Sequence, residues 1–127
     1  MCIRDRSKII NDDIIIVVML ETPKAINNVE EIASVPGIDV LLVGTNDLCM
    51  EMGIPGEFNH NDVKESYKKV IQACNNNNIL PGMGGVYDET LMHEYIDLGM
   101  KFILSGSDLS FLVKGAEDRL NNLKNKG

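Results

Sequence analysis

Two carboxylates stand where a parallel sheet would bring them near one another. Glu21 ends the uninterrupted apolar run Ile14 to Leu20, and Asp47 follows a second run, Val40 to Val43, after the short turn Gly44-Thr45-Asn46. Apolar runs without alternation suit strands buried on both faces, and neighbouring strands of such a sheet lie ~5 Å apart. Carboxylates at equivalent strand ends are hard oxygen ligands able to share one divalent cation. An all-oxygen set with few protein ligands favours Mg²⁺ or Mn²⁺ and leaves coordination positions open. A 2-oxo acid fits those positions, because its carboxylate and ketone oxygens chelate a cation that then acts as a Lewis acid toward a developing enolate. A plainer reading also stands: Glu21 merely precedes a helix N-cap and Asp47 closes an Asx turn. Spacing alone leaves both open.

Other residues bear on the same chemistry. Gly44-Thr45-Asn46-Asp47 offers consecutive backbone N–H groups after a strand, an anion nest suited to a substrate carboxylate. Gly82-Met83-Gly84-Gly85 and Ser105-Gly106-Ser107 suggest a rival, a barrel whose last two loops hold a phosphate, although sharp turns and close packing also require glycine. Asp108 is expected to cap the helix that follows it. Lys24 falls in a first helical turn rather than on a strand, which disfavours a covalent amine mechanism. His60 sits at a helix start and His93 points away from an apolar helix face, so neither is expected to act as general base. No arginine occurs between Arg6 and Arg119, so a cationic donor to an enolate must come from outside this segment.

These residues need elements to position them. Strand and helix alternate in four units, with strands near Ile14 to Leu20, Val40 to Val43, Leu80 to Gly84 and Phe102 to Ser105. Thr22-Pro23 has the form of an N-cap followed by proline at the first helical position, and Ala25, Ile26, Val29, Ile32 and Ala33 mark one apolar face before Pro36-Gly37 ends the helix. Val63, Tyr67, Val70, Ile71 and Cys74 repeat the helical spacing, as do Leu91, Met92, Tyr95 and Ile96, and then Leu112, Ala116, Leu120 and Leu123. Asn75 to Asn78 reads as a solvated helix end whose asparagines tolerate left-handed backbone. A weak internal repeat relates Gly37 to Gly44 with Gly99 to Gly106. The alternation predicts an α/β fold with a parallel sheet, and four units make half of a (β/α)₈ barrel. Met1 to Ser7 fits neither strand, helix nor targeting signal and is expected to be a non-native leader, with residues 8–127 forming the partial barrel domain.

With 127 residues and a net charge of -7, the chain has one domain's length and no cationic run to track a phosphate backbone, which argues against nucleic acid. Its longest apolar run is far short of the ~20 residues of a membrane helix. The three cysteines, Cys2, Cys49 and Cys74, form no metal-binding spacing and suggest free thiols in a reducing compartment, here the cytoplasm. Cys74 is expected in the core, and Cys49 is expected to pack rather than react.

The pieces Val18-Met19-Leu20-Glu21-Thr22-Pro23-Lys24-Ala25, Val35-Pro36-Gly37-Ile38-Asp39-Val40, Gly44-Thr45-Asn46-Asp47-Leu48 and Ser105-Gly106-Ser107-Asp108, in this order, resemble the HpcH/HpaI aldolase family of metal-dependent (class II) pyruvate aldolases. The resemblance runs from about Lys8 to the C-terminal helix and keeps the 26-residue separation of Glu21 and Asp47. It implies the C-terminal half of a TIM barrel, strands five to eight. It also implies Mg²⁺ or Mn²⁺ on Glu21 and Asp47, and a pyruvyl carboxylate held by the backbone amides of Asn46 and Asp47 beside Gly44 and Thr45. The family's catalytic arginine and histidine lie in the half not represented, so this segment alone is expected to be inactive. Met19 stands where many members carry glutamine. The implied reaction is reversible cleavage of a 4-hydroxy-2-oxo acid into pyruvate and an aldehyde, in a homo-oligomer, commonly a hexamer, that exchanges C-terminal helices; Phe111 to Leu123 suits that contact. Alternatives are a citrate-lyase-like enzyme acting on a coenzyme A thioester and a non-catalytic remnant serving as an assembly partner.

Overall fold

The computed structural model describes residue 11 and residues 13–124, so the expected leader lies outside the described residues. Four strands, β1 (Val17–Leu20), β2 (Val40–Gly44), β3 (Leu80–Gly84) and β4 (Phe102–Ile103), pair in parallel in the order β1-β2-β3-β4. Between and after them run α1 (Pro23–Asn27), α2 (Val29–Ala33), α3 (Thr45–Glu51), α4 (Asn61–Asn77), α5 (Glu89–Leu98) and α6 (Asp108–Lys124). Sequential order with a helix in every crossover is the layout of consecutive barrel units.

The register sorts side chains onto two faces. Val17 pairs with Val40 and Met19 with Leu42, while Val18 pairs with Leu41 and Leu20 with Val43. Leu20, Leu41, Val43 and Met83 join the core formed with Ile26, Val63, Tyr67, Val70 and Tyr95 from the helices. The opposite face carries Val17, Met19, Val40, Leu42 and Gly82, by the period of two along each strand. Val40 and Leu42 are buried there because Gly82 lets them close over it; a Cβ on Gly82 would lie 3.0 Å from each side chain. On β1 the same face is bare, with Val17 and Met19 37% and 51% exposed.

The expectation that every strand is buried on both faces therefore holds for β2 and, past the exposed Leu80, for β3, but not for β1 or β4. Among the described residues β1 has a neighbour on one side only and nothing that closes over its inner face. It is also shorter than its apolar run: Ile14 to Ile16 are exposed and lie outside the register, which begins at Val17 and Val40, although the Ile16 carbonyl still accepts the Asp39 and Val40 N–H groups. Asp39 fixes that start, its carboxylate accepting the Ile16 N–H at 2.7 Å. β4 likewise stops at Ile103 rather than Ser105.

Thr22 caps α1 as expected, its hydroxyl accepting the Ala25 N–H at 3.1 Å with Pro23 in the first turn. The expected single helix is broken at Asn28, whose N–H is shared between the Lys24 and Ala25 carbonyls, but Ile26, Val29 and Ala33 still reach the core. α4 ends at Asn78 in the left-handed conformation (φ 56°). Ser107, not Asp108, caps α6: its hydroxyl accepts the Ser110 N–H at 3.3 Å and its own N–H donates to Ser110 Oγ at 2.9 Å. Of the expected apolar stripes, that of α6 fails to bury: Leu112, Ala116, Leu120 and Leu123 are all exposed, since no surface within the described residues covers them.

Candidate functional site

Glu21 occupies the single residue between the end of β1 and the Thr22 cap, so its backbone is held from both sides while its side chain stays half-buried. Continuing the register past Leu20 and Val43 sets Glu21 beside Gly44 on the inner face. The contact is close: a Cβ on Gly44 would lie 2.7 Å from Glu21 Cγ and 2.9 Å from Oε1. Gly44 has ordinary backbone (φ -82°), so here glycine supplies space rather than conformational freedom.

The expected turn Gly44-Thr45-Asn46 is instead the start of α3, with Gly44 as its N-cap. This places Asn46 and the exposed Asp47 in the first helical turn, where backbone N–H groups have no intrahelical acceptor. The nest read from sequence is thus a helix start, because the strand passes straight into α3. Thr45 is wholly buried and turns inward, its hydroxyl meeting Tyr67 Oη at 2.7 Å and the Gly84 carbonyl at 2.8 Å. Only its backbone can face the site. Asn46 extends toward β3, its Nδ2 3.5 Å from the Gly85 carbonyl, and a Cβ on Gly85 (φ 85°) would lie 2.6 Å from that nitrogen.

The structure thus brings Glu21 against Gly44 and Asn46 against Gly85, with Asp47 exposed one residue further on. Among the described residues no group of three or more His, Cys, Asp and Glu forms a metal cluster, so of the expected ligands this chain offers at most the two carboxylates Glu21 and Asp47. Two half-free to free carboxylates with no ion-pair partner among the described residues, one seated in a cradle that a Cβ would fill, fit a hard divalent cation completed by non-protein or further oxygen ligands. The glycines behind the phosphate alternative have packing reasons: Gly82 lies under Val40 and Leu42, Gly84 against Leu104, and Gly85 against Asn46.

Cys49 lies on α3, fully buried, and burial followed by the Glu57 charge raises its thiol pKa, which keeps it an inert packing group. Cys74 is also buried in the core. His93 is exposed, and His60 caps α4, its Nδ1 accepting the Asp62 N–H at 3.2 Å. Lys24 is exposed on α1.

Sequence reading missed Tyr67 as more than core. The available signal was a hydroxyl in an otherwise apolar helical stripe, since a buried tyrosine oxygen needs a partner. Burial raises Tyr67 from an ordinary value of 10.0 to about 12 against the lowering effect of the Thr45 bond. Burial likewise lifts Cys74 from 9.0 to about 11. Both folded values exceed the unfolded ones, so the stability these groups confer is complete below about pH 9 and is lost as pH rises through 11 to 12. The melting temperature is expected to fall by on the order of 10 °C across that window, measured by circular dichroism. A flat profile would mean these groups titrate normally when folded.

The sequence profile of the family described as HpcH/HpaI aldolase/citrate lyase matches residues 2–115. The 4-hydroxy-4-methyl-2-oxoglutarate aldolase of Chaetomium globosum is 37% identical over 105 residues, 81% of this chain and 39% of that protein. The 4-hydroxy-2-oxo-heptane-1,7-dioate aldolase of Klebsiella pneumoniae is 33% identical over 107 residues, 84% of this chain and 40% of the relative. Among solved structures, an HpcH/HpaI aldolase/citrate lyase family protein from Burkholderia cenocepacia superposes with a TM-score of 0.82 at 27% identity, over 96% of this chain and 47% of that one. The chain therefore spans two fifths to one half of the proteins it matches, and its four units correspond to half of their barrel.

Proposed function

Because this chain belongs to the HpcH/HpaI aldolase/citrate lyase family, we propose that it supplies the carboxylate side of a metal-dependent aldolase site. Residues 8–127 serve as the C-terminal half, strands five to eight, of a protein that reversibly cleaves a 4-hydroxy-2-oxo acid into pyruvate and an aldehyde. The observation that carries this is Glu21 laid over Gly44 on the uncovered inner face, with Asp47 in the first turn of the helix that follows.

Glu21 and Asp47 would hold Mg²⁺ or Mn²⁺, and the bound cation supplies Lewis acidity toward the 2-oxo acid. The chain's own groups orient the substrate. The first-turn amides of Asn46 and Asp47, with the backbone of Gly44 and Thr45, receive the pyruvyl carboxylate, where the helix start favours negative charge. Met19 shares the inner face with Glu21 two residues away and presents an apolar thioether to the same space. General base and cationic donor come from the other half of the barrel, so the segment alone binds but does not turn over.

The bare apolar stripe of α6 supports assembly of the longer protein into a homo-oligomer, a hexamer in this reading, through exchanged C-terminal helices. A cytoplasmic setting is supported by two buried free thiols, and no described helix is long and apolar enough to cross a membrane. The family description itself names citrate lyase, which keeps a second reading in view, cleavage of a coenzyme A thioester substrate; assay of the longer protein with acyl-CoA substrates separates the two.

The test is isothermal titration of Mn²⁺ into the purified chain with and without pyruvate. The expected result is Mn²⁺ binding that pyruvate strengthens. A folded chain that binds no Mn²⁺, or aldol cleavage by the longer protein that survives chelation, would sink the reading.

A further inference from the structure

We propose that Tyr67 is a positioning residue for the Asn46–Asp47 segment, acting through the Thr45 hydroxyl. This deepens the proposed function and rests on it for the use made of that segment.

The need for such a residue follows from Gly44. Glu21 requires a residue without a side chain there, so α3 starts from an N-cap that makes no side-chain hydrogen bond. α3 has only seven residues, too few to hold its first turn by its own bonds. The turn is instead held from behind. The Gly84 carbonyl can only accept, so Thr45 Oγ1 donates its single proton to it at 2.8 Å. That leaves Thr45 Oγ1 as acceptor at its other contact, and Tyr67 Oη as donor at 2.7 Å. The direction of the chain is therefore fixed: Tyr67 to Thr45 to Gly84.

Tyr67 is itself packed in place. It is wholly buried, and its ring stacks on Tyr95 with centroids 4.0 Å apart and planes 19° apart. Tyr95 in turn donates its hydroxyl to the Phe58 carbonyl in the loop between α3 and α4. One aromatic pair thus ties α4, α5, the α3–α4 loop and β3 to the residue that opens α3. Tyr67 reaches the site only through the inward-turned Thr45 hydroxyl; it sets where the Asn46 and Asp47 amides and the Asp47 carboxylate stand.

Hydrogen exchange on this chain separates positioning from ordinary core packing. Tyr67→Phe and Tyr95→Phe each remove one buried tyrosine hydroxyl bond and keep both rings, but only the first touches Thr45. The reporters are the amides of Leu48 and Cys49, which the helical pattern bonds to the Gly44 and Thr45 carbonyls. The expected result is a loss of protection there of about tenfold, relative to the amides of β2, in Tyr67→Phe and not in Tyr95→Phe. Unchanged protection in Tyr67→Phe, or an equal loss in both variants, would overturn the proposal. In the unmodified chain, a slowly exchanging Tyr67 hydroxyl proton with a nuclear Overhauser contact to Thr45 is expected by NMR, and its absence overturns the proposal without any variant having to fold. Mn²⁺ titration of the same pair should show weakened binding, roughly threefold to tenfold, in Tyr67→Phe alone. An unmodified chain that binds no Mn²⁺ would instead overturn the metal reading, while the exchange data still decide the tether.

Discussion

Asp47→Ala is expected to reduce Mn²⁺ affinity by more than about 100-fold while leaving the melting temperature of the chain nearly unchanged. The carboxylate is exposed and makes no ion pair among the described residues, so its removal costs the fold little beyond a favourable first-turn charge of about 0.3–1 kcal/mol. As one of two ligands it would cost the cation far more, since groups that merely support metal ligands are worth about 10–100-fold. Gly44→Ala sharpens the test because glycine has no donor to lose. Its Cβ would enter the space of Glu21 Cγ at 2.7 Å and Oε1 at 2.9 Å, and the half-buried Glu21 can move aside cheaply. The backbone at Gly44 (φ -82°) accepts alanine, so the chain stays folded while Glu21 leaves its seat and Mn²⁺ affinity drops about 10–100-fold. Both are read by titration alongside thermal melts. Binding that survives both substitutions would place the cation elsewhere, and binding lost only with the fold would reduce the pair to a structural role.

The parts of this site that could be read from sequence are those governed by local rules. Thr22-Pro23 fixes a helix start through hydroxyl capping and a preset φ, so the residue before it had to lie at a strand end, and Glu21 does. The four units, the parallel order and the core face of α4 followed from apolar spacing, as did that of α5 apart from Ile96, which is exposed. Side-chain packing across elements was not legible. Nothing local distinguishes Gly44 as a seat for Glu21, 23 residues away, or Gly85 as a seat for Asn46, because each glycine is required by an atom of another element. The run Ile14 to Leu20 looks uniform in sequence but not in the fold, since strand length is set by the partner: β2 begins only at Val40, and Asp39 holds the start. The α6 stripe shows the same limit in reverse. Its periodicity predicts an apolar face, yet periodicity specifies a face and not what lies on it, and nothing among the described residues covers this one.

Thr45→Val is expected to destabilise the chain by roughly 2–5 kcal/mol, more than its near-identical shape suggests. The substitution exchanges a hydroxyl for a methyl and leaves no cavity, so the packing cost is small. Two partners are stranded: the Tyr67 hydroxyl, with its donor unused, and the Gly84 carbonyl, each inside a region where water cannot replace the lost bond. Each orphaned buried group costs about 1–3 kcal/mol, against a total of about 5–15 kcal/mol for a typical domain. Against that total the loss would be a large fraction. Thr45→Ser keeps the hydroxyl and removes only a methyl, so it should recover most of the stability. Urea denaturation of both variants decides the matter. Valine as stable as threonine would mean the buried hydroxyl chain contributes nothing net, and α3 would then owe its position to the apolar contacts of Leu48 and Cys49 alone.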